Sequence, residues 1–522
     1  MTARLPMLLL TMALCGAAHA VTTPAAADDA VADTAARGDI AQVRALIARK
    51  ADVNHPSSDG TPPLTYAVWR QDATLVQALL KAGAKADEPS RLGVRPLHLA
   101  IANADVEDVR LLLAAGADPN SADGTSETCL MMAARTGRED IVDALLDRGA
   151  KVDLRDKSYS QTALMVAARE GHASIVQRLL ARGAKADVQT LAGKAPAWRL
   201  PSSNAGSKGA GIVRGGWPER GERDSIPGAK TPLLYAAREN HADIVAMLLD
   251  AGAPIEQADA DGVTPLLMAV LNGAFDSARL LIERGANVNA MDWYGQTPLF
   301  SAVDWRDLDV PGPTRDNGVD RKAALALIQL LVDKGANVNA RTKESLPVRR
   351  WVLRLGSLSW ADFTGQTPFL RAAFSGDVTV MRLLLAHGAD PNIATDSGTT
   401  PLMAAAGVNW TVAQTYDEGP AALLEAVKIC WEKGNDVNAV NNMGMQAIHA
   451  AANRGSNEII QFLVDKGAQL DRPDAQGRTP LVWAKGVFLA THPPEAKPAT
   501  MALIEKLAQR QKLPESKPRP QS

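Results

Sequence analysis

The sequence predicts an all-α solenoid of stacked helix pairs. Three observations predict it: a period of 33 residues, a recurring Thr-Pro-Leu start or a relative of it, and glycines spaced where helices must end. The segment Lys230 to Ala237 returns as Val263 to Val270, and Thr-Pro recurs at Thr297, Thr367, Thr400 and Thr479. With the Thr position as anchor, periods begin at Asp29, Pro62, Arg95, Thr128, Thr162, Thr231, Thr264, Thr297, Thr367, Thr400, Gln446 and Thr479. Their spacings are 33, 33, 33, 34, 69, 33, 33, 70, 33, 46 and 33, so twelve units share one frame broken only by insertions.

Each element of the frame has a physical reason. Thr or Asp before the first helix offers a side-chain oxygen to the unpaired N–H groups of its first turn. Pro follows at the first helical position, where a missing donor costs nothing. The Leu and Ala after it give a short helix one narrow apolar face, and the helix ends at Gly137, Gly171, Gly273, Gly376 or Gly455, with Asn240 standing in once. The second helix carries apolar pairs four residues apart, as in Ile141-Val142 with Leu145-Leu146 and Ile244-Val245 with Leu248-Leu249. It stops at Gly83, Gly116, Gly149, Gly183, Gly252, Gly285, Gly335, Gly388, Gly434 or Gly467. An Ala-Asn-Val-Asn segment or a relative follows, then Asp-x-x-Gly, which is turn composition.

These residues resemble the ankyrin repeat, whose motif is matched at Thr264 to Gly295 and at Thr367 to Gly398. The resemblance runs over about residues 29–511 and implies antiparallel helix pairs with projecting hairpin fingers. Pro62, Arg95 and Gln446 depart from the motif at the cap position, which predicts weaker starts for those helices. The first and last units are degenerate, as expected where a terminal unit faces water.

Composition narrows the function. Lys plus Arg number 56 against 58 Asp plus Glu, a formal net charge of −2, which argues against nucleic-acid binding through clustered basic groups. Residues 1–20 read as a signal peptide: Arg4, an apolar stretch from Leu5 to Leu14, and Ala18-His19-Ala20 before the cleavage point. A linker of residues 21–28 follows, and residues 512–522 are expected to be a disordered tail. No apolar run reaches the ~20 residues a membrane helix needs, so stable membrane insertion is not expected. The mature cysteines, Cys129 and Cys430, lie far apart at core-facing positions and are expected to be buried and unpaired.

Insertions interrupt the frame near residues 188–229, 303–322, 341–365, 407–422 and 485–499. Trp198, Trp217, Trp305, Trp351, Trp360 and Trp410 lie in or beside them, out of ten Trp in all, more than plain linkers would hold. Each either pins its loop to the solenoid or anchors a partner.

Catalytic and metal signatures are weak. His98 and His449 occupy the repeat's own His slot, His172 and His241 follow first helices, His387 precedes a terminating Gly, and only His55 and His492 stand outside the frame. No Cys-x-x-Cys, His-Glu-x-x-His or Gly-x-Ser-x-Gly occurs. Asp304, Asp307, Asp309, Asp316 and Asp320 lack the spacing of a calcium loop and read as solvated loop. The expectation is no enzyme, no cofactor and no metal.

What the resemblance implies about binding is positional. Ankyrin partners dock on finger tips and on the exposed end of the first helix, which here correspond to Arg37, Trp69, Asn103, Arg135, Arg169, Arg238, Leu271, Trp305 and Phe374, with Trp293, Tyr294 and Gln296 on a neighbouring finger. The expected partner-binding surface has a cationic half at Arg135, Arg169 and Arg238 and an aromatic half around Leu271, Trp293, Trp305 and Phe374. It suits a protein bearing acidic groups beside apolar anchors, unless the arginines are a solvated face paired with neighbours such as Glu170 and Glu239. The sequence thus reads as a monomeric, non-enzymatic protein-binding scaffold, periplasmic or secreted. The alternatives are a small-ligand or metal site built from the insertions, with Asp304, Asp307, His492 and the insertion Trp residues as candidates, or an exported effector that binds host proteins.

Overall fold

The computed structural model describes residues 29–193, 228–307, 319–343, 364–408, 418–487 and 495–512. They form twenty-four helices, and among the described residues there is no strand, only an isolated bridge between Ala122 and Thr128. The leader, most of the first four insertions, about half of the last and the tail beyond residue 512 lie outside the described residues, and with them Trp198, Trp217, Trp351, Trp360, Trp410, Asp309, Asp316 and His492.

The chain divides into two compact units at residues 150 and 151. Unit 1 contains α1 (Asp29–Arg37), α2 (Ile40–Ala48), α3 (Pro63–Trp69), α4 (Ala73–Lys81), α5 (Pro96–Ala102), α6 (Val106–Ala114), α7 (Cys129–Thr136) and α8 (Glu139–Asp147). Each odd helix packs on its even partner, and the odd and even helices stack in two separate rows.

Unit 2 repeats the scheme. It holds α9 (Ala163–Glu170), α10 (Ala173–Ala181), α11 (Pro232–Arg238), α12 (Ala242–Asp250), α13 (Pro265–Leu271), α14 (Phe275–Glu283), α15 (Pro298–Arg306) and α16 (Arg321–Asp333). It continues with α17 (Pro368–Ser375), α18 (Val378–Ala386), α19 (Pro401–Ala406), α20 (Pro420–Glu432), α21 (Ala447–Arg454), α22 (Asn457–Asp465), α23 (Pro480–Ala484) and α24 (Pro498–Lys512). Neighbouring odd helices touch along one row from α9 to α23, and even helices along the other from α10 to α24.

The caps behave as their chemistry requires. Thr231 Oγ1 accepts from the Leu234 N–H at 3.1 Å, and Thr297 and Thr367 do the same for Phe300 and Leu370, each at 3.2 Å. Pro62 and Arg95 give no side-chain cap, yet α3 and α5 still start directly after them, because Pro63 and Pro96 preset the first helical φ. At Gln446 the cap is reversed: His449 Nδ1 accepts the Gln446 N–H at 3.0 Å, and its Nε2 meets the Arg472 carbonyl at 3.0 Å. A Cβ at Gly388 would meet nothing within 4 Å, so that position needs glycine for its φ of +85° and not for space.

Hydrogen bonds also run from turn to turn. Asn289 Nδ2 donates to the Gly335 carbonyl at 3.1 Å while its Oδ1 accepts from the Asn337 N–H at 2.7 Å. Asn339 repeats this with Gly388 at 3.2 Å and Asp390 at 2.8 Å. The second Asn of Ala-Asn-Val-Asn, read from sequence as turn composition, therefore ties one period to the next.

Helices absorb part of two insertions. α16 and α20 have 13 residues each, where most second helices of this array have nine, and the extra turn is at the N-terminal end. Asp320 caps α16 through the Lys322 and Ala323 N–H groups, and Pro420 opens α20, so both starts are moved upstream into the inserted segment. α15 likewise continues through Asp304 and Trp305 to Arg306. Cys129 and Cys430 are buried and free, and burial pushes the Cys129 thiol up to about 12, which keeps it protonated and unreactive.

Candidate functional site

The three arginines of the expected cationic half are all paired locally. Arg135, in unit 1, stands 2.8 Å from Glu127. In unit 2, Arg169 stands 2.9 Å from Glu170 and Arg238 3.1 Å from Glu239. Each pair is part-exposed and contributes little to stability, but it cancels most of the positive field an acidic partner would meet. The solvated-face alternative describes these residues better than a cationic groove.

Three of the candidates are corrected by their burial. Tyr294 is 2% exposed, Gln296 3% and Phe374 3%, so none of these side chains is offered to a partner. Phe374 packs with Leu370 and with Ala404 of the next first helix, whose stacking covers the end of α17. The Tyr294 and Gln296 segment is drawn inward because Lys343 N–H bonds the Tyr294 carbonyl at 2.8 Å and the Gln296 N–H bonds Asp292 Oδ1 at 2.8 Å.

Leu271, Trp293 and Trp305 remain half-buried. Leu271 leans on the cluster of Leu234, Val263, Leu267 and Met268. The Trp293 ring stands edge-on to Tyr294, 5.0 Å between centroids, and the Trp293 backbone N–H donates to the Asp261 carbonyl at 2.8 Å. Trp305 meets Phe275 edge-on at 6.5 Å and lies so close over Gly273 that a Cβ there would fall 2.4 Å from its ring. In unit 1, Trp69 at the end of α3 is 55% exposed, Arg37 donates to Thr34 Oγ1 at 3.1 Å, and Asn103 donates to the Val68 carbonyl at 3.3 Å.

A buried charge network went unread in the sequence. Arg371 Nε donates to Asp304 Oδ1 at 2.7 Å, Arg371 Nη1 stands 3.7 Å from Asp307 Oδ2, and Arg306 Nε donates to Asp377 Oδ2 at 2.5 Å. Asp377 also caps α18 by accepting the Val380 N–H at 3.1 Å. Asp304 and Asp307 are therefore not solvated loop: α15 continues past the insertion point and carries both carboxylates against Arg371 of α17. Burial pushes the Asp307 carboxyl up to about 8, against the pull of Arg371. Of the same acidic run, Asp320 is the α16 cap. Among the described residues, no group of three or more His, Cys, Asp or Glu is placed to hold a metal ion.

A second buried carboxylate lies in unit 1. Asp108 is fully buried, neither carboxyl oxygen has a hydrogen-bond partner, and the same frame position is Leu75 or Ile141 in the adjoining periods. Burial, reinforced by the like charges of Asp105, Glu107 and Asp72, pushes it up to about 7.

The histidines serve the fold. His98 Nε2 meets Ser121 Oγ at 3.0 Å, and burial lowers the pKa of both His98 and His449. His172 and His241 stand at the starts of α10 and α12.

Comparison with known proteins agrees with this architecture. Residues 30–123, 97–190, 233–311, 321–414 and 420–486 match the family model described as ankyrin repeats (3 copies). Ankyrin repeat domain-containing protein 63 of Homo sapiens is 31% identical over 123 residues, 23% of this chain and 30% of that protein. Its Mus musculus counterpart is 30% identical over 123 residues, 23% of this chain and 29% of that protein. Alpha-latrocrustotoxin-Lt1a of Latrodectus tredecimguttatus is 27% identical over 162 residues, 31% of this chain and 9% of the toxin. The chain thus spans under a third of the length of these relatives. The crystal structure of the ankyrin repeat domain of Bcl-3 is 26% identical, with a TM-score of 0.37, over 47% of this chain and 95% of that domain. The family matches fall on both units and reach from α1 to α23, and the chain belongs to the ankyrin-repeat family.

Proposed function

We propose that this chain is a non-enzymatic protein-binding scaffold of twelve ankyrin units, exported by its leader to act as a monomer outside the cytoplasm. The observation that carries the reading is the pairing of a rigid stacked array with half-exposed Leu271, Trp293 and Trp305 in consecutive periods of unit 2. Large apolar side chains left partly uncovered on a rigid frame are what partner anchors need, because little conformational entropy remains to be lost on binding. Export is supported by the sequence Leu5 to Ala20, an apolar run ending in small residues. Among the described residues no helix is long and apolar enough to cross a membrane.

The test is affinity capture from the exported fraction of the native organism with the mature chain as bait and Trp293→Ala/Trp305→Ala as control. The reading predicts a protein retained by the first and lost by the second. Equal recovery on both baits would remove these residues as anchors.

A further inference from the structure

Asp108 lies in the first turn of α6, the helix that stacks between α4 and α8 in unit 1. The residue is 0% exposed and neither carboxyl oxygen has a hydrogen-bond partner. We propose that Asp108 is a proton-operated latch: α6 stays packed while the carboxyl keeps its proton, and local opening of the first turn of α6 releases that proton to water. The inference is independent of the scaffold reading, because it needs no partner.

The charges around the carboxyl show why the enclosed form is the neutral acid. On α6 itself Asp105 and Glu107 are acidic, and Arg110 is exposed. α4 brings Asp72 at its start, while its cation, Lys81, lies in its last turn. α8 opens with Arg138, Glu139 and Asp140. Arg138 Nη2 stands 2.7 Å from Asp140 Oδ2, and its Nη1 donates to the Ala104 carbonyl at 2.7 Å. α5 carries His98 alone, and that ring meets Ser121 Oγ at 3.0 Å. Asp105, Glu107 and Asp72 all oppose a further negative charge. An ionised Asp108 enclosed there would have neither a hydrogen bond nor a counter-charge, so the ionised form belongs to the opened turn, where water reaches it.

The backbone makes the same place easy to open. Ala104, just before the Asp105 cap, has a φ of +57°, a left-handed conformation that its Cβ disfavours and that Gly137 supplies in the next period at +75°. Asp105 Oδ1 then holds the first turn by accepting from the Glu107 and Asp108 N–H groups, each at 3.1 Å. Opening this turn relaxes Ala104 and hydrates Asp108 in one step.

The pH dependence has a fixed form. The enclosed carboxyl titrates at about 7 and the opened one near the ordinary 3.8. Between those values opening becomes about tenfold more favourable for each unit of pH rise, because one proton leaves per opening, and above about 7 it levels off. Unit 1 is therefore tight in mild acid and looser at neutral pH and above.

The experiment is hydrogen exchange of the full chain between pH 5 and 8, read by mass spectrometry and corrected for the intrinsic pH dependence of exchange. In peptides covering residues 103–113 the opening constant should climb about tenfold per unit from pH 5 to 7 and flatten by pH 8. Asp108→Asn keeps the shape without the titration and should give a flat profile there, as should peptides of α22 in the wild type. A pH-independent α6 in the wild type, or a slope that persists in Asp108→Asn, overturns the latch. A slope shared equally by α2 and α22 overturns its local character. A second readout needs no folded variant: the Asp108 carboxyl carbon, followed by NMR in wild-type chain labelled at aspartate, should titrate about 3 units above the exposed aspartates. Only ordinary aspartate titrations, with none near neutrality, would overturn the proposal as well.

Discussion

Arg371 reaches back 67 positions to bond Asp304 at 2.7 Å, with both side chains nearly buried. This contact and its neighbour at Asp307 join the end of α15 to α17 across a long insertion. Buried pairs of this kind add little beyond what apolar residues would give, but breaking one partner strands the other in a low-dielectric site. Arg371→Leu should therefore cost about 3–5 kcal/mol in urea unfolding. Adding Asp304→Asn and Asp307→Asn should return a large part of it. A loss no larger than that of an exposed substitution would mean that water reaches the network.

Asp108 makes unit 1 sensitive to pH in a defined direction. Its folded pKa, about 7, lies above the ordinary value of 3.8, so between those values the folded form binds the proton that the unfolded form has released. Its contribution is thus present at low pH and lost as pH rises through the window, by at most about 1.4 kcal/mol per pH unit. Asp108→Leu should raise the urea midpoint at pH 8 more than at pH 5. Equal gains at the two pH values would show that the carboxyl is ionised in the folded chain.

His449 has the opposite sign. It accepts the Gln446 N–H on Nδ1, which only a ring unprotonated at that atom can do, and donates from Nε2 to the Arg472 carbonyl. Burial lowers its pKa, so its contribution is present above the ordinary histidine range and falls away on acidification. His449→Ala should cost about 1–3 kcal/mol at neutral pH, because a buried N–H and a carbonyl lose their partners. The difference from wild type should narrow towards pH 5. A constant difference across that range would sink the capping account.

Leu281, on α14, is fully buried. Leu281→Ala should lower stability by about 2–5 kcal/mol, read by thermal or urea melts. A full-strength melt would mean that the helix packs by another face.

Trp293→Ala with Trp305→Ala should leave the helical circular dichroism nearly intact while partner recovery falls. Both rings are half-buried, so a modest loss of melting temperature is expected from their contacts with Tyr294 and Phe275. Partner recovery undiminished by a folded double variant would direct attention to Trp69, the most exposed Trp among the described residues.

The helices and their order were legible in the sequence, since Thr231, Pro232 and Gly252 act through local backbone chemistry that recurs, with substitutions such as Pro62, Arg95 and Gln446 at the cap, from period to period. Cap, preset φ and left-handed stop need no knowledge of distant residues. The candidate site was legible only as positions in the frame, and Leu271, Trp293 and Trp305 do stay part-exposed. Frame position could not show that Tyr294, Gln296 and Phe374 are covered, because that depends on which neighbouring period folds over them. It could not show either that Arg169 and Arg238 are neutralised by the glutamates beside them, a matter of rotamer and not of spacing.

The sequence by itself determined an all-helical array of repeating pairs, because each helix carries its own start, apolar stripe and stop within one period. Only the tertiary structure decided the fate of the charges near the insertions. Asp304 and Asp307 read as loop until α15 runs on to Arg306 and meets Arg371, and nothing in the sequence marks Asp108 until the stack encloses it. Both outcomes follow from contacts between residues far apart in the chain, where burial sets the energy of a charge and periodicity does not.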